Sequence, residues 1–453
     1  MRGRYALLLL TLAITATGQG PTTGGASLPA NPVVATMPTF KAINGPGAMF
    51  PALHTMPPEE DLARFKYVTK EYFVSGIAQG QPYTTRLVVR RPADPRKFSG
   101  IVVAEPMHPT GNDWMFYFLR TYLMSEGHIG VEIATSSLNL FTAANAARYK
   151  DLEATAEQTN EILAQTGRLL KSDRYDGPLD GLPLRKMILT GTSASAAIVA
   201  AYLPAHRVYR DADMTAIFDG FLPTSIGDAN RLAKVDVPMI QMPTMTEIVR
   251  TAATGNPYRR PDSDSPGDQF RIYEVAAMAH IDPRFNPIYN PNPCKYTLSE
   301  FPEGMGLAAG LDRLIQWIDK KKTPPRAEYV VVDNNTANDG SILALDTNGN
   351  PKGGVRNTYV DVPAYRYISP NEAASPPVAN ITPQVAAYGA ELFCGIAGYQ
   401  LPLSADQMKM LYKSKKDFQS KVEQRANALI KEGWLSSAYK EMILADAAKV
   451  DFR

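Results

Sequence analysis

The run from Lys186 to Leu203 passes from a short apolar stretch, Met187-Ile-Leu-Thr190, through Gly191-Thr-Ser193-Ala-Ser195 into an alanine-rich one. This predicts a buried strand, a sharp turn carrying a serine, and a helix, with no intervening loop. Such a turn closes only where residues are small, and Gly191, Ser195 and Ala196 meet that demand, Ser195 standing where a second glycine is usual. The geometry lifts Ser193 clear of the sheet. It also sets neighbouring backbone N–H groups at a helix N-terminus, where a developing oxyanion is stabilised.

A serine nucleophile needs an imidazole to take its proton and an acid to orient that imidazole; on a strand-turn-helix serine they follow in the order serine, acid, histidine. Of five histidines, His54, His108, His128 and His206 precede residue 207 and only His280 lies downstream. His280 follows the β-rich run Phe270 to Val275, which reads as the last core strand delivering a histidine at its C-terminal end, where open α/β sheets place their chemistry. Val235 to Met242 reads as the strand before it, which puts Glu247 on the following loop as the acid. Asp219, read at the C-terminal end of a strand over Thr215 to Phe218, is the competing acid. Asp236 starts its strand and reads as structural; Glu274, inside the last strand, reads as an ion-pair or helix-facing residue. The backbone N–H of Ala194 is one expected oxyanion donor. The other is expected from the loop after Ile101 to Ala104; Pro106 has no N–H, which leaves Met107 or His108. A catalytic role for the His108 side chain is set aside because it precedes the serine.

Taken together, Tyr83 to Pro95 with Phe98 to Glu105, the Ser193 turn, Ile217 to Phe221, the Glu247 and His280 loops, Gly353 to Arg356 and Val360 to Pro363 resemble the branch of secreted bacterial α/β-hydrolase domain proteins. The likeness covers most of the chain beyond its leader. Members often carry Gly-x-Ser-Gln-Ser-Gly at the turn; Ala194 and Ala196 stand here instead, a difference that bears on pocket shape more than on catalysis. The resemblance implies an α/β-hydrolase fold, a mostly parallel twisted sheet flanked by helices, with a C-terminal extension. It also implies hydrolysis of a small-molecule carboxylic ester through an acyl-enzyme on Ser193, His280 and Glu247. An amidase or peptidase on the same triad, or a catalytically silent scaffold binding a ligand or partner, is the alternative reading.

With 45% hydrophobic and 20% charged residues, the 453-residue chain has the proportions of a large globular protein. Arg2 and Arg4 before the apolar run Tyr5 to Ile14, with Ala16-Thr-Gly18 after it, read as a secretory signal peptide over 1–18. Removing it takes the formal charge from +2 to zero, so neither nucleic acid nor an acidic membrane is an expected partner. Export to the periplasm or beyond makes a Cys294–Cys394 disulfide the expected state of the two cysteines, confined to the extension and away from the catalytic core. Residues 19–60, rich in Pro, Gly and Thr, read as an extended arm, 61–285 as the hydrolase core and 286–453 as the extension. With no large insertion available after Phe218, the extension is expected to close the pocket, with Tyr365, Tyr367, Phe393 and Tyr399 as lining or packing groups. No cofactor or metal is expected: Asp346 to Asn350 starts like a calcium loop but has Asn357 at its twelfth position, and Asp262 to Asp268 reads as a solvated turn. Lys320 to Lys322 fits a helix C-terminus.

Overall fold

Tyr67–Ala78 (β2) and Gln81–Pro92 (β3) pair residue for residue from Ala78↔Gln81 to Tyr67↔Pro92, so only Gln79 and Gly80 turn the chain. Both have positive φ, 52° and 72°, the backbone that matches the twist of the flanking strands in a two-residue hairpin. The computed structural model describes residues 31–172, 175–228, 232–253, 259–284, 287–333 and 342–452. The expected signal peptide, 1–18, lies outside them.

The hairpin belongs to a ten-stranded sheet. Its other strands are Thr39–Ala42 (β1), Ile101–Pro106 (β4), Ile129–Ile133 (β5), Lys186–Thr192 (β6), Gly220–Thr224 (β7), Met239–Gln241 (β8), Ser263–Ser265 (β9) and Asp268–Ile272 (β10). Their order is β9-β10-β8-β7-β6-β4-β5-β3-β2-β1, with β5 through β4, β6, β7 and β8 to β10 parallel and the edges antiparallel. Every residue of β4, β5 and β7 is buried, which is why these segments read as largely apolar, interrupted only by the buried Glu105 and Glu132 and by Thr224. Successive residues feed opposite faces: Val103, Ile188 and Leu222 join one core, Val102, Leu189 and Phe221 the other.

Helices cover both faces. Thr159–Lys171 (α2) and Ala194–His206 (α3) pack on one; Trp114–Ser125 (α1) and Glu303–Lys320 (α5) pack on the other. Leu307, Leu311, Leu314 and Ile318 form the buried stripe of α5, at the spacing that keeps one helical face on the sheet. This helix packs against α1, β7 and β8, so the layer that covers the sheet reaches past residue 285. A core helix lies inside the segment expected to be an extension. Lys415–Glu432 (α8) and Lys440–Lys449 (α9) add to the same hydrophobic cluster.

The described part of the arm, residues 31–60, is mostly exposed; it supplies edge strand β1 and pairs Val33–Val34 with Tyr209–Arg210. It is held from below by a buried ion cluster: Glu71 accepts from Arg86, Arg148 and the Tyr149 hydroxyl, while Glu132 accepts from Arg86 and Arg90. Arg148 also reaches the carbonyls of Ile43 and Gly47 at 3.0 Å each, tying the arm to the cluster. Breaking one partner of such a group would leave a buried charge uncompensated.

At the strand-to-helix turn, Ser193 has φ 52° and ψ −118°. A Cβ on Gly191 would come within 2.6 Å of the carbonyl carbon and 2.7 Å of the oxygen of Ser195, backbone atoms with no room to yield. Ser195 closes the turn by other means, its Oγ accepting from Thr192 N at 2.8 Å and donating to Thr192 O at 2.9 Å. Gly191→Ala is therefore expected to destabilise the fold by about 1–3 kcal/mol, the usual penalty of overpacking. The check is the melting temperature, and an unchanged value would show that the turn relaxes freely.

Candidate active site

Three elements converge at the C-terminal ends of β6, β8 and β10. Ser193 follows β6 and is the N-cap residue of α3; its own N–H donates to Thr224 O at 3.1 Å, and its side chain makes no cap bond. Glu247 lies in the first turn of Met245–Ala253 (α4), which starts just after β8, so the expected loop is a helix N-terminus. His280 lies eight residues beyond the end of β10. The Nδ1 atom of His280 is 2.6 Å from Oε1 of Glu247, while Oε2 accepts from Thr244 N at 2.9 Å and Thr244 Oγ1 at 2.5 Å. Burial pushes the Glu247 carboxyl up, but the charge and hydrogen bond of His280 and both donors of Thr244 outweigh it and hold it below its ordinary value.

Backbone contacts lock the two segments together. Met245 N donates to Met278 O at 2.8 Å, Ala276 N to Val355 O at 3.1 Å, and Asn357 Nδ2 to Ala276 O at 2.8 Å. The Gly353 to Arg356 stretch thus has a place in the fold: it braces the histidine loop.

Ser193 and His280 open onto one cavity of about 370 Å³. Its walls are mostly apolar, with Trp114 and Phe118 of α1 on one side and Ile281, Ile288 and Tyr289 on another. Val385 and Tyr388 of Pro383–Tyr388 (α6), with Phe393 and Ile396 of Ala390–Ile396 (α7), complete it from the C-terminal region. Of the four aromatics singled out in the sequence, Phe393 alone lines this cavity; Tyr367 is buried in the main core, and Tyr365 and Tyr399 sit on a small ribbon, Tyr365–Ile368 with Tyr399–Pro402.

Cys294 and Cys394 form a disulfide. Contrary to expectation the bridge borders the site: Cys394 is part of α7, and both cysteines share a small core with Val385 and Phe393, which line the cavity.

Asp219 is far from this convergence. Its strand begins one residue later, at Gly220, and its carboxylate accepts from Lys186 Nζ at 3.1 Å and Met187 N at 2.9 Å, at the start of β6. It therefore lies at the opposite end of the strand from Ser193, and the competing reading of the acid is corrected. Pro223 within β7 is what disguised the strand's position. Asp236 pairs with Arg210 at 2.7 Å and His206 at 3.2 Å, and Glu274 with Arg259 at 2.7 Å.

The expected second oxyanion donors need correction too. Met107 N donates to Ile133 O at 2.8 Å and His108 N to Asn112 O at 3.1 Å, so both N–H groups are already engaged. Helical N–H groups at the start of α3, Ala194 first, remain without a side-chain cap.

Sequence reasoning missed His54, Asn112, Asp282 and Glu303. His54 comes from the arm and lines the cavity beside Trp114, the ring centroids 4.7 Å apart. Asp282 also lines the cavity and accepts from Glu303 N at 3.0 Å at the start of α5. Glu303 is buried, and its Oε2 has no partner among the described residues. Burial first, then Asp282 and Glu247, push its carboxyl well above the ordinary range. Only the proximity of Asp282 to His280 in sequence could have signalled this acidic cluster.

Among the described residues no group of three His, Cys, Asp or Glu side chains is placed to hold a metal ion. Asp346 turns onto Asn348 N and Asn350 N, at 2.8 and 2.9 Å, and Asp264 pairs with Arg271. No helix among them is long and apolar enough to cross a membrane.

The profile of the alpha/beta hydrolase domain family matches residues 19–445, and the chain belongs to that family. Curated proteins yielded no match. Among solved structures, brefeldin A esterase, described as a bacterial homologue of human hormone-sensitive lipase, is 13% identical, with 49% of this chain and 72% of that one covered and a TM-score of 0.30. A thermostable esterase from Pseudomonas putida ECU1011 is 11% identical over 47% and 74%, with a TM-score of 0.29. A fungal esterase from Rhizomucor miehei is 10% identical over 46% and 74%, with a TM-score of 0.28.

Two outcomes follow. Glu303, held protonated, contributes its full stability below the unfolded carboxylate pKa and loses it as pH rises toward the raised folded value. Glu303→Gln should therefore melt increasingly higher than the native protein as pH rises above the ordinary carboxylate range, with parallel curves refuting a protonated Glu303. Reducing the Cys294–Cys394 bridge should loosen α6 and α7 and raise KM more than it lowers kcat, which steady-state kinetics with and without reductant will read.

Proposed function

We propose that this chain hydrolyses carboxylic esters by acyl transfer to water. The observation that carries the reading is the 2.6 Å contact of Glu247 with His280 Nδ1, on a cavity shared with a serine in left-handed backbone at a helix N-terminus. With Nδ1 engaged by the carboxylate, His280 presents Nε2 as the base. Ser193 Oγ adds to the ester carbonyl as Nε2 takes its proton; the carbonyl π pair moves to oxygen beside the Ala194 N–H. Collapse of the tetrahedral adduct expels the alcohol, which takes the proton from Nε2. Water, deprotonated by the same nitrogen, then adds to the acyl carbonyl; collapse breaks the bond to Ser193 Oγ, which takes the proton back from Nε2 as the acid leaves. Glu247 supports the imidazolium in both halves.

The cavity favours an uncharged, largely apolar ester. Its described lining includes aromatic and aliphatic side chains and no Lys or Arg, so an anionic substrate would find no counter-charge there. The apolar leader segment and the disulfide support export to the periplasm or beyond.

Labelling with a fluorophosphonate separates this reading from a silent scaffold, since only an activated serine is modified at a useful rate. Ser193→Ala should lose both labelling and turnover while melting as the native protein does. Glu247→Gln should lower kcat by about 10³–10⁴-fold and Asp219→Asn by far less, because only the former contacts the imidazole. The reverse ranking would move the acid.

A further inference from the structure

We propose that the imidazole of His108, through its Nε2–H, is the second oxyanion donor of this site. The inference rests on the serine-hydrolase reading above and adds to it a side-chain donor where a loop N–H was expected.

The first ground is elimination. The loop after β4 holds the position from which a second donor would act, yet Met107 N and His108 N are hydrogen-bonded to Ile133 O and Asn112 O. Drawing either to a ligand would open the loop. The His108 side chain faces the cavity that Ser193 and His280 share.

The second ground is the tautomer. Thr110 N donates to His108 Nδ1 at 3.2 Å, and a backbone N–H cannot act as an acceptor. Nδ1 therefore carries the lone pair and Nε2 the proton. Thr110 Oγ1 is also close, 2.7 Å from Nδ1; as the Asn112 amide is placed, it donates to Asn112 Oδ1 at 3.0 Å, and Asn112 Nδ2 is 3.2 Å from His54 Nε2. A hydroxyl can rotate, a side-chain amide can be turned over, and His54 can take either tautomer, so this chain adapts to whatever His108 requires. The fixed donor decides. With the Thr110 hydroxyl also pointing to Nδ1, the Asn112 amide turned over and His54 donating, no donor faces a donor and the two Thr110 donors share the Nδ1 lone pair; the opposite polarity sets Thr110 N–H against Nδ1–H. Nε2 has no partner among the described residues, which leaves its proton free for a ligand.

The third ground is charge. Burial, and the charge of His280 nearby, push the His108 imidazole down to about 4, so it stays neutral at physiological pH. A neutral donor does not repel the imidazolium that forms on His280 during attack, as a charged one would. It also cannot release its proton into the reaction as a competing acid.

The test compares the native mature protein with His108→Leu and His108→Gln, using 4-nitrophenyl butyrate for turnover, a fluorophosphonate for Ser193 labelling and a trifluoromethyl ketone as a mimic of the tetrahedral adduct. The Leu variant should lose about 10²–10³-fold in kcat with little change in KM, the range for removing one oxyanion donor. Its affinity for the trifluoromethyl ketone should fall by a similar factor, and Gln, which keeps a donor on a longer arm, should restore part of both. If the native protein labels at Ser193 but His108→Leu keeps kcat within about threefold, the donor assignment falls and the triad reading stands. If native Ser193 does not label, the triad reading falls and takes the donor with it. Nitrogen NMR of histidine-labelled native protein decides independently of whether the variants fold. A neutral His108 protonated at Nε2, with that proton shifted downfield in the trifluoromethyl ketone adduct, supports the proposal; a proton on Nδ1 overturns it.

Discussion

The close approach of β6 to α3 is the constraint on which the other parts depend. Because Gly191 has no Cβ, the carbonyl of Ser195 can sit within van der Waals reach of the strand, and the chain reverses without a loop. The strain this leaves on Ser193, in left-handed backbone, is balanced by the buried two-way hydrogen bonding of Ser195 with Thr192. A polar clasp thus does part of the work usually given to a second glycine. The start of α3, which has no side-chain cap, is the electrostatic consequence: its first N–H groups lie beside Ser193.

Around that fixed point the fold assembles an acid and a base from segments that no local rule connects. Glu247 is presented by a helix N-terminus and His280 by a loop, and the backbone bond Met245 to Met278 sets their spacing independently of either side chain. Asn357 and Val355 brace the loop from the far side, so residues well beyond the sheet help to keep the imidazole where the carboxylate can hold it. At the start of α5, burial disfavours the charged forms of the acidic neighbours Asp282 and Glu303 and raises both carboxyls above their ordinary range, with Arg284 and Arg120 offsetting part of this at Asp282.

The region after His280 has two separate tasks. Helix α5 completes the sheet's second face, whereas α6 and α7, stapled through Cys394, form part of the cavity wall. The first is ordinary hydrophobic burial, and the second shapes the cavity. A bridge placed in the second part bears on the cavity's shape as well as on stability. The arm before residue 61 is similarly divided: β1 protects a sheet edge, and His54 reaches the cavity.

Much of this was legible in the residues because it depends on local pattern. Largely apolar runs mark strands buried on both faces, small residues mark the turn at Ser193, and chain order leaves His280 as the downstream imidazole. What failed did so for reasons that involve distant partners. Asp219 was read at the wrong end of its strand because Pro223 obscured where β7 lies, and register is set by neighbours rather than by the strand itself. Met107 and His108 have free N–H groups in the sequence, and only the pairing with Ile133 and Asn112 shows that they are taken. The sequence by itself determined the strand-turn-helix at Ser193, the parallel core strands and the order of the candidate triad, since each follows from sterics and burial over a few residues. Only the tertiary structure decided which carboxylate meets His280 and which wall of the cavity the disulfide supports, because each depends on contacts between segments far apart in the chain.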